Sequence, residues 1–139
     1  MSEGTYSKHI FACVYIYLDN GIYFPEKNWD DFVLIIFAWW SDSIINLLNG
    51  STHEDFCFMD GNFHFKINVF NERLFTINFY HNNLELQSFV LNKSTFYSEM
   101  KRNMNILLRH INILDLKKSN DAIKIMENFR YISSRVNSM

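Results

Sequence analysis

The sequence contains few residues that interrupt helices and strands or form disulfides: one proline, four glycines and two cysteines among 139 residues. So little Gly and Pro excludes collagen-like and low-complexity chains, while 48% hydrophobic and 17% aromatic residues indicate a packed core. Cys13 and Cys57 have no CxxC spacing, so we expect two buried, reduced thiols. Residues 1–8 lack the basic start and apolar run of a secretory signal. The sequence therefore predicts one cytoplasmic domain over residues 1–139.

The sequence also lacks a membrane span. The apolar run Phe32–Trp40 has nine residues, whereas a helix needs about 20 to cross a bilayer. Because the run is apolar on every side, it predicts a core helix that is buried nearly all round. Asn28 is the expected N-cap, Asp30 and Asp31 are the expected acids of the first turn, and Gly50 is the expected C-terminal stop.

The segment before this helix predicts a hairpin. Side chains from His9 to Leu18 alternate, with apolar or aromatic residues on both sides, which is typical of a strand covered on both faces. Asn20-Gly21 then predicts a two-residue turn into a short strand at Ile22–Phe24.

The segment after the helix predicts antiparallel strands. A type I′ turn at Asp60-Gly61 places aromatic residues of Phe56–Met59 opposite aromatic residues of Phe63–Phe70. A two-residue turn at the end of the second strand would set apolar against polar side chains. We therefore predict a three-residue loop at residues 71–73, which restores apolar pairs such as Val69 with Phe75.

A fourth strand follows a tight turn at Asn82-Asn83, since Asn tolerates the left-handed region. This turn pairs Phe79 with Leu86 and Phe75 with Val90. The other face of the sheet is then polar, with two cross-strand rows: Asp55, Lys66, Asn78 and Gln87, and Cys57, His64, Tyr80 and Glu85.

Two amphipathic helices end the predicted order of elements. Ser94 caps the first, and the second begins at Ser119 or Asn120. We predict a single α+β domain in which an antiparallel β-meander packs on a central hydrophobic helix, with two C-terminal helices.

Catalytic patterns are missing from the sequence. It contains no GxGxxG, P-loop, GxSxG or HExxH motif. His53-Glu54-Asp55 falls on a predicted strand, where neighbouring side chains point to opposite faces and do not chelate a metal together. His64 beside Tyr80 and Glu85 is either an acid–base group on an open sheet or a hydrogen-bonded surface row, and we prefer the row. We expect no enzyme activity, no cofactor and no metal.

The charges are unevenly distributed along the chain. Residues 1–60 hold nine acidic and two basic side chains, a balance of −7, and residues 61–139 hold six and eleven, a balance of +5. The pI near 6.2 and the acids among the C-terminal basic residues do not favour nucleic-acid binding. The acidic half suits a basic protein partner, although solvated charges explain the same pattern. The best candidates for contacting such a partner are the acids beside aromatic residues: Glu26, Asp30, Asp31, Glu54, Asp55 and Asp60.

Two stretches carry a family resemblance. GIYFPEKNWDDFVLIIFAWW and FCFMDGNFHFKINV resemble small bacterial immunity proteins of contact-dependent-inhibition and other polymorphic toxin systems. That group has an aromatic-Pro turn, a Trp-Asp-Phe helix start, a Trp-rich helix and a later Asp-Gly hairpin. The matching part covers roughly residues 20–70, about a third of the chain.

The resemblance implies a non-enzymatic protein that binds one cognate toxin domain, commonly a nuclease, and blocks its active site or substrate access. A nuclease site attracts phosphates and is basic, which fits the acidic candidates named above. The alternative function is a small-ligand or scaffold module that uses the polar sheet face. The sequence does not determine the oligomeric state.

Overall fold

The computed structural model describes residues 11–113 and 119–136, and its centre is a helix packed on a sheet. This helix, α1 (Val33–Leu48), contacts both the first strand of the sheet and the last helix of the chain. The predicted burial all round is wrong at Trp39, which is 43% exposed. The buried side chains of α1 are Val33, Leu34, Ile36, Phe37, Ala38, Trp40, Ser41, Ile44 and Leu47.

The start of α1 differs from the prediction, whereas its end agrees. Asn28 has φ +60°, which is not the backbone of an N-cap residue, and Phe32 precedes the helix without a side-chain cap. The two acids expected in the first turn lie instead in strand β4 (Asp30–Phe32). Strand pairing and the burial of Asp31 override the local capping signal. At the other end, Gly50 has φ +105° and follows the last turn, as expected.

The N-terminal segment forms two small ladders instead of one long strand. Strand β1 (Phe11–Cys13) pairs with β4, and strand β2 (Ile16–Tyr17) pairs with β3 (Tyr23–Phe24). The predicted continuous strand is wrong because its two halves have different partners, and its first residues, 9 and 10, lie outside the described part. The predicted hairpin is present, but Leu18 pairs with Ile22, so the loop has three residues and ends on Gly21 at φ +88°.

Both cysteines are free, as expected, but neither is buried. Cys13 is exposed at the end of β1, and Cys57 is exposed on the polar face of the sheet. The predicted coverage of both strand faces is therefore wrong at Cys13, and at Tyr17 as well.

The four-stranded antiparallel sheet has the predicted meander order. Its strands are β5 (His53–Cys57), β6 (Phe63–Val69), β7 (Leu74–His81) and β8 (Leu84–Asn92). Turns β5–β6 and β7–β8 lie at one end of the sheet, and turn β6–β7 lies at the other.

The predicted registers of β5, β6 and β7 are confirmed. Phe56 pairs with Phe65, and Asp55 pairs with Lys66. The β5–β6 turn is longer than the predicted type I′ pair: the positive φ values fall at Gly61 and Asn62, and Phe58 N–H donates to Phe63 C=O across residues 59–62.

The three-residue loop at 71–73 is confirmed by the pairing of Val69 with Phe75. The Asn71 side-chain oxygen accepts the backbone N–H groups of Arg73 and Leu74, at 2.9 Å each. This is the local bonding that makes Asn a turn residue.

Strand β8 contains a bulge that the sequence did not predict. The tight turn at Asn82-Asn83 is present, with φ values of +53° and +66°, and Tyr80 pairs with Glu85 as predicted. The register then shifts by one residue, so that Leu86 is the extra residue of a bulge.

The shift makes the predicted pairs of Phe79 with Leu86 and of Phe75 with Val90 wrong. Phe79 pairs with Gln87 and Phe75 with Leu91. Phe89 and Leu91 consequently pack on the core, while Leu86 and Val90 are exposed. The polar row that begins at Asp55 therefore ends at Ser88 instead of the predicted Gln87. The other predicted row, Cys57, His64, Tyr80 and Glu85, is confirmed.

Helices α2 (Lys93–Ile113) and α3 (Asn120–Val136) pack against each other, and α3 also packs along α1. Helix α2 begins one residue before Ser94, the predicted cap, and the Ser119 hydroxyl accepts the backbone N–H of Ala122 at the start of α3, as its predicted capping role requires. The structure is therefore the predicted α+β domain: a meander, one helix before it and two helices after it. None of the described helices is long and apolar enough to cross a membrane.

Candidate protein-binding surface

Asp31 is the one carboxylate of the six candidates that is fully buried, at 0% exposure. Its side chain accepts three hydrogen bonds, from the indole N–H of Trp29 (3.1 Å) and the backbone N–H groups of Phe32 (2.7 Å) and Asp60 (3.2 Å). It ties β4 to the β5–β6 turn. A partner cannot reach this carboxylate, so we exclude Asp31 from the candidate contact residues.

Glu54 is also used inside the molecule. It pairs with Ile67 on the face of the sheet that carries the core. Its carboxylate accepts hydrogen bonds from the Asn46 amide (3.0 Å) and the Ser51 hydroxyl (2.7 Å). It connects the end of α1 to β5 and is only partly exposed.

Three candidates remain exposed at the turn end of the sheet: Glu26, Asp30 and Asp60. The segments that carry them meet at Trp29, whose backbone N–H donates to Glu26 C=O and whose ring packs edge-on against Phe63. Gly61 fits under this ring, because a Cβ there would lie 3.1 Å from Trp29 and 2.8 Å from Phe63.

The same turn carries an exposed apolar residue. Met59, next to Asp60 in the sequence, is 42% exposed, and Trp29 is half-buried. We call Glu26, Trp29, Asp30, Met59 and Asp60 the turn-end surface. Sequence reasoning missed Met59, because nothing in the sequence distinguishes an exposed methionine in a turn from one in the core.

Asp55 lies apart from the turn-end surface, on the polar face of the sheet opposite Lys66. The structure therefore brings three of the six predicted residues to one end of the molecule, leaves one on the sheet, and uses two as internal hydrogen-bond acceptors.

The polar sheet face is held together by its own side chains. His64 stacks on Tyr80 with ring centroids 4.6 Å apart and planes 1° from parallel. The Glu85 carboxylate accepts the Tyr80 hydroxyl (3.2 Å) and the Asn78 amide (3.1 Å). Partial burial and then this hydrogen bond raise the pKa of Tyr80 above its usual value.

The hydrogen bonds of this face join Asn78, Tyr80 and Glu85, and His64 adds a stacked ring. Because the rings are parallel, the stacking does not direct an imidazole nitrogen of His64 at the Tyr80 hydroxyl, as proton transfer between them would need. Within residues 11–113 and 119–136, no group of three or more His, Cys, Asp and Glu side chains is arranged to hold a metal ion.

The thiols are also poorly suited to nucleophilic chemistry. The hydrogen bond from the Cys13 thiol to Asp30 raises the pKa of Cys13, and partial desolvation followed by the charge of Asp55 raises the pKa of Cys57. Both groups therefore favour the protonated thiol, which is the less reactive form.

A groove of about 1090 Å³ lies between residues 13–20, strand β8 and helix α2. Apolar side chains such as Phe89, Leu91 and Met100 line it, with Glu99, Arg102 and His110 on the helical side. Glu99 and Arg102 are paired with each other at 2.7 Å. The sequence did not predict this groove, because it depends on where residues 13–20 lie relative to β8.

Comparisons of the chain with protein-family models, with curated proteins and with solved structures found no match.

Proposed function

We propose that this protein is an immunity protein, which binds a cognate toxin domain stoichiometrically and blocks its active site or substrate access. The observation that carries the proposal is the turn-end surface, where the segments of exposed Glu26, Asp30 and Asp60 meet at Trp29 and Met59 is exposed next to Asp60. Protein interfaces favour aromatic residues and methionine at the centre and polar groups at the rim. The resemblance of residues 21–40 and 56–69 to immunity proteins supports the same conclusion.

The charge of this surface favours a basic partner. A nuclease must attract phosphate, so the surface around its active site is commonly basic. Acidic side chains at the rim of the inhibitor accelerate association with such a surface and reject partners of the wrong charge. No residue of the inhibitor has to act chemically, and the proposed protein is cytoplasmic, where it meets a toxin that enters the cell.

The first step is to look for a toxin-domain gene immediately upstream of this gene, and the test uses the domain that it encodes. A double variant, Glu26→Lys with Asp60→Lys, reverses two exposed carboxylates. We expect association at low salt to slow by about tenfold or more, and protection of toxin-expressing cells to weaken. The slower rate should also depend less on salt.

The control double variant, Glu72→Lys with Glu127→Lys, makes the same change in net charge elsewhere. Glu72 is exposed in the turn at the opposite end of the sheet, and Glu127 is exposed on α3. This variant should associate and protect like the parent. Equal slowing by both variants would contradict a role for the turn-end surface, and failure of the parent to bind or protect would contradict the proposed function.

A second candidate function uses the polar sheet face as a small-ligand or scaffold surface. The described helices α1 and α2 pack on the other side of the sheet, so the row of His64, Tyr80 and Glu85 faces outward. Lys66→Glu reverses a charge on this face, so it should weaken binding of such a ligand or scaffold partner and leave toxin binding by the turn-end surface unchanged.

A further inference from the structure

The two edge strands of the sheet, β5 and β8, differ in whether side chains of other elements bond to their outward backbone groups. At the β5 edge, the Trp40 indole N–H donates to Cys57 C=O (2.9 Å) and the Ser43 hydroxyl donates to Asp55 C=O (3.1 Å). Helix α1 thus occupies carbonyl groups that would otherwise be open to another strand. Exposed edges attract further strands, and proteins commonly block them in such ways.

Strand β8 pairs with β7 alone, and within residues 11–113 and 119–136 no hydrogen bond from another element reaches the outward backbone groups of residues 88, 90 and 92. In an antiparallel pair, every second residue bonds to the neighbouring strand. The bond from Lys93 N–H to Arg73 C=O (2.9 Å) shows which residues of β8 these are. Phe89 and Leu91 then bond to β7, whereas Ser88, Val90 and Asn92 direct their backbone N–H and C=O groups away from it. A regular set of outward donors and acceptors results.

The side chains of this edge do not repel another strand. Residues 87–92, which follow the bulge, contain neither a charged residue nor a proline. Val90 is 55% exposed on the outer face. Charges, prolines and bulges are the usual protections of an edge, and β8 has only Glu85 and the neighbouring bulge, both at one end of the strand.

We propose that β8 pairs antiparallel with β8 of a second copy of this chain, about a two-fold axis at Val90. Val90 then faces its own equivalent, Phe89 faces Leu91, and Ser88 faces Asn92. Apolar residues meet apolar ones, polar residues meet polar ones, and no like charges are opposed. A two-fold axis makes one surface complementary to itself, which is the commonest arrangement in homodimers.

The inner side of the edge has room for such a partner. Phe89 and Leu91 line the groove of about 1090 Å³, so the equivalent side chains of the second copy would extend this apolar surface. The pairing is independent of toxin binding, because β8 contributes no residue to the turn-end surface.

The first test measures molar mass by light scattering and sedimentation over a concentration series. The parent should approach twice the 16.7 kDa of one chain, and Val90→Lys, which sets two ammonium groups opposite each other, should remain at one chain. Val69→Lys is the matched control, since Val69 is also an exposed strand valine, at the end of β6, and it should dimerise like the parent. A parent that is monomeric at every concentration would overturn the proposal.

The second test locates the axis. In a Cys13→Ser, Cys57→Ser background, Val90→Cys should form an intermolecular disulfide on mild oxidation, because Cα atoms of hydrogen-bonded cross-strand pairs lie about 5.5 Å apart. Thr76→Cys, one strand further from the edge in the same row, should not. A dimer that resists Val90→Lys and fails to cross-link at Val90→Cys would use another surface and would equally overturn the proposal.

Discussion

At the scale of single residues, Asp31 has a structural role that its charge did not reveal. We expect Asp31→Ala to lower the free energy of unfolding by about 2–4 kcal/mol, because it removes the buried carboxylate that accepts hydrogen bonds from Trp29, Phe32 and Asp60. Urea unfolding measures the effect. Asp30→Ala, at the exposed neighbouring residue, should cost less than about 1 kcal/mol. Equal midpoints for the two variants would show that the buried carboxylate is not a fixed acceptor.

Tyr97 is the residue that should make stability depend on pH. Burial raises the pKa of its phenol to about 12, although the charge of Arg135 opposes the rise. In the unfolded chain the phenol ionises near the ordinary value of 10.0. The stability contributed by the neutral phenol is therefore complete below about pH 10 and is lost as pH rises toward 12.

The measurement is the melting temperature of the parent and of Tyr97→Phe between pH 9 and pH 12. The parent should lose stability more steeply than the variant, which has no hydroxyl to ionise. Parallel curves would mean that Tyr97 ionises as easily in the folded protein as in the unfolded one.

At the scale of elements, α1 offers two adjacent tryptophans with opposite environments. Trp40 is 2% exposed and packs against the rings of Phe37, Phe58 and Phe65, whereas Trp39 is 43% exposed. We expect Trp40→Ala to cost about 3–5 kcal/mol through lost burial and a cavity, and Trp39→Ala to cost about 1 kcal/mol or less. Denaturant unfolding of the pair compares the same substitution one residue apart. Similar losses would show that Trp39 is as buried in the protein as Trp40.

Local sequence patterns were sufficient to predict some elements but not others. The registers of β5, β6 and β7 were predictable because turn residues and aromatic pairs agreed on one alignment. The bulge at Leu86 was not predictable, since it adds a residue without any Gly or Pro in β8 to mark it. The false N-cap at Asn28 arose because a local capping pattern was outweighed by strand pairing and by the bonds of Asp31.

At the scale of the whole molecule, charge summed along the sequence indicated an acidic half but not an acidic face. Glu26, Asp30 and Asp60 come together because the β5–β6 turn folds onto Trp29, which requires the complete fold. Glu54 and Asp55 are neighbours in sequence but point to opposite sides of the sheet. The central helix and the meander were readable from local patterns, and the location of a surface was not.

The contact between α1 and α3 has a consequence for the protein as it is synthesised. The Ser41 hydroxyl, at 0% exposure, accepts the amide of Asn128, 87 residues later in the chain. Chains emerge from the ribosome with the N-terminal part first, so α1 is complete long before α3 exists to cover it. In that interval one side of a very apolar helix has no native neighbour. We expect chaperones to bind the nascent chain during this interval. Fast elongation through α3 would shorten the time for which the uncovered side of α1 can aggregate.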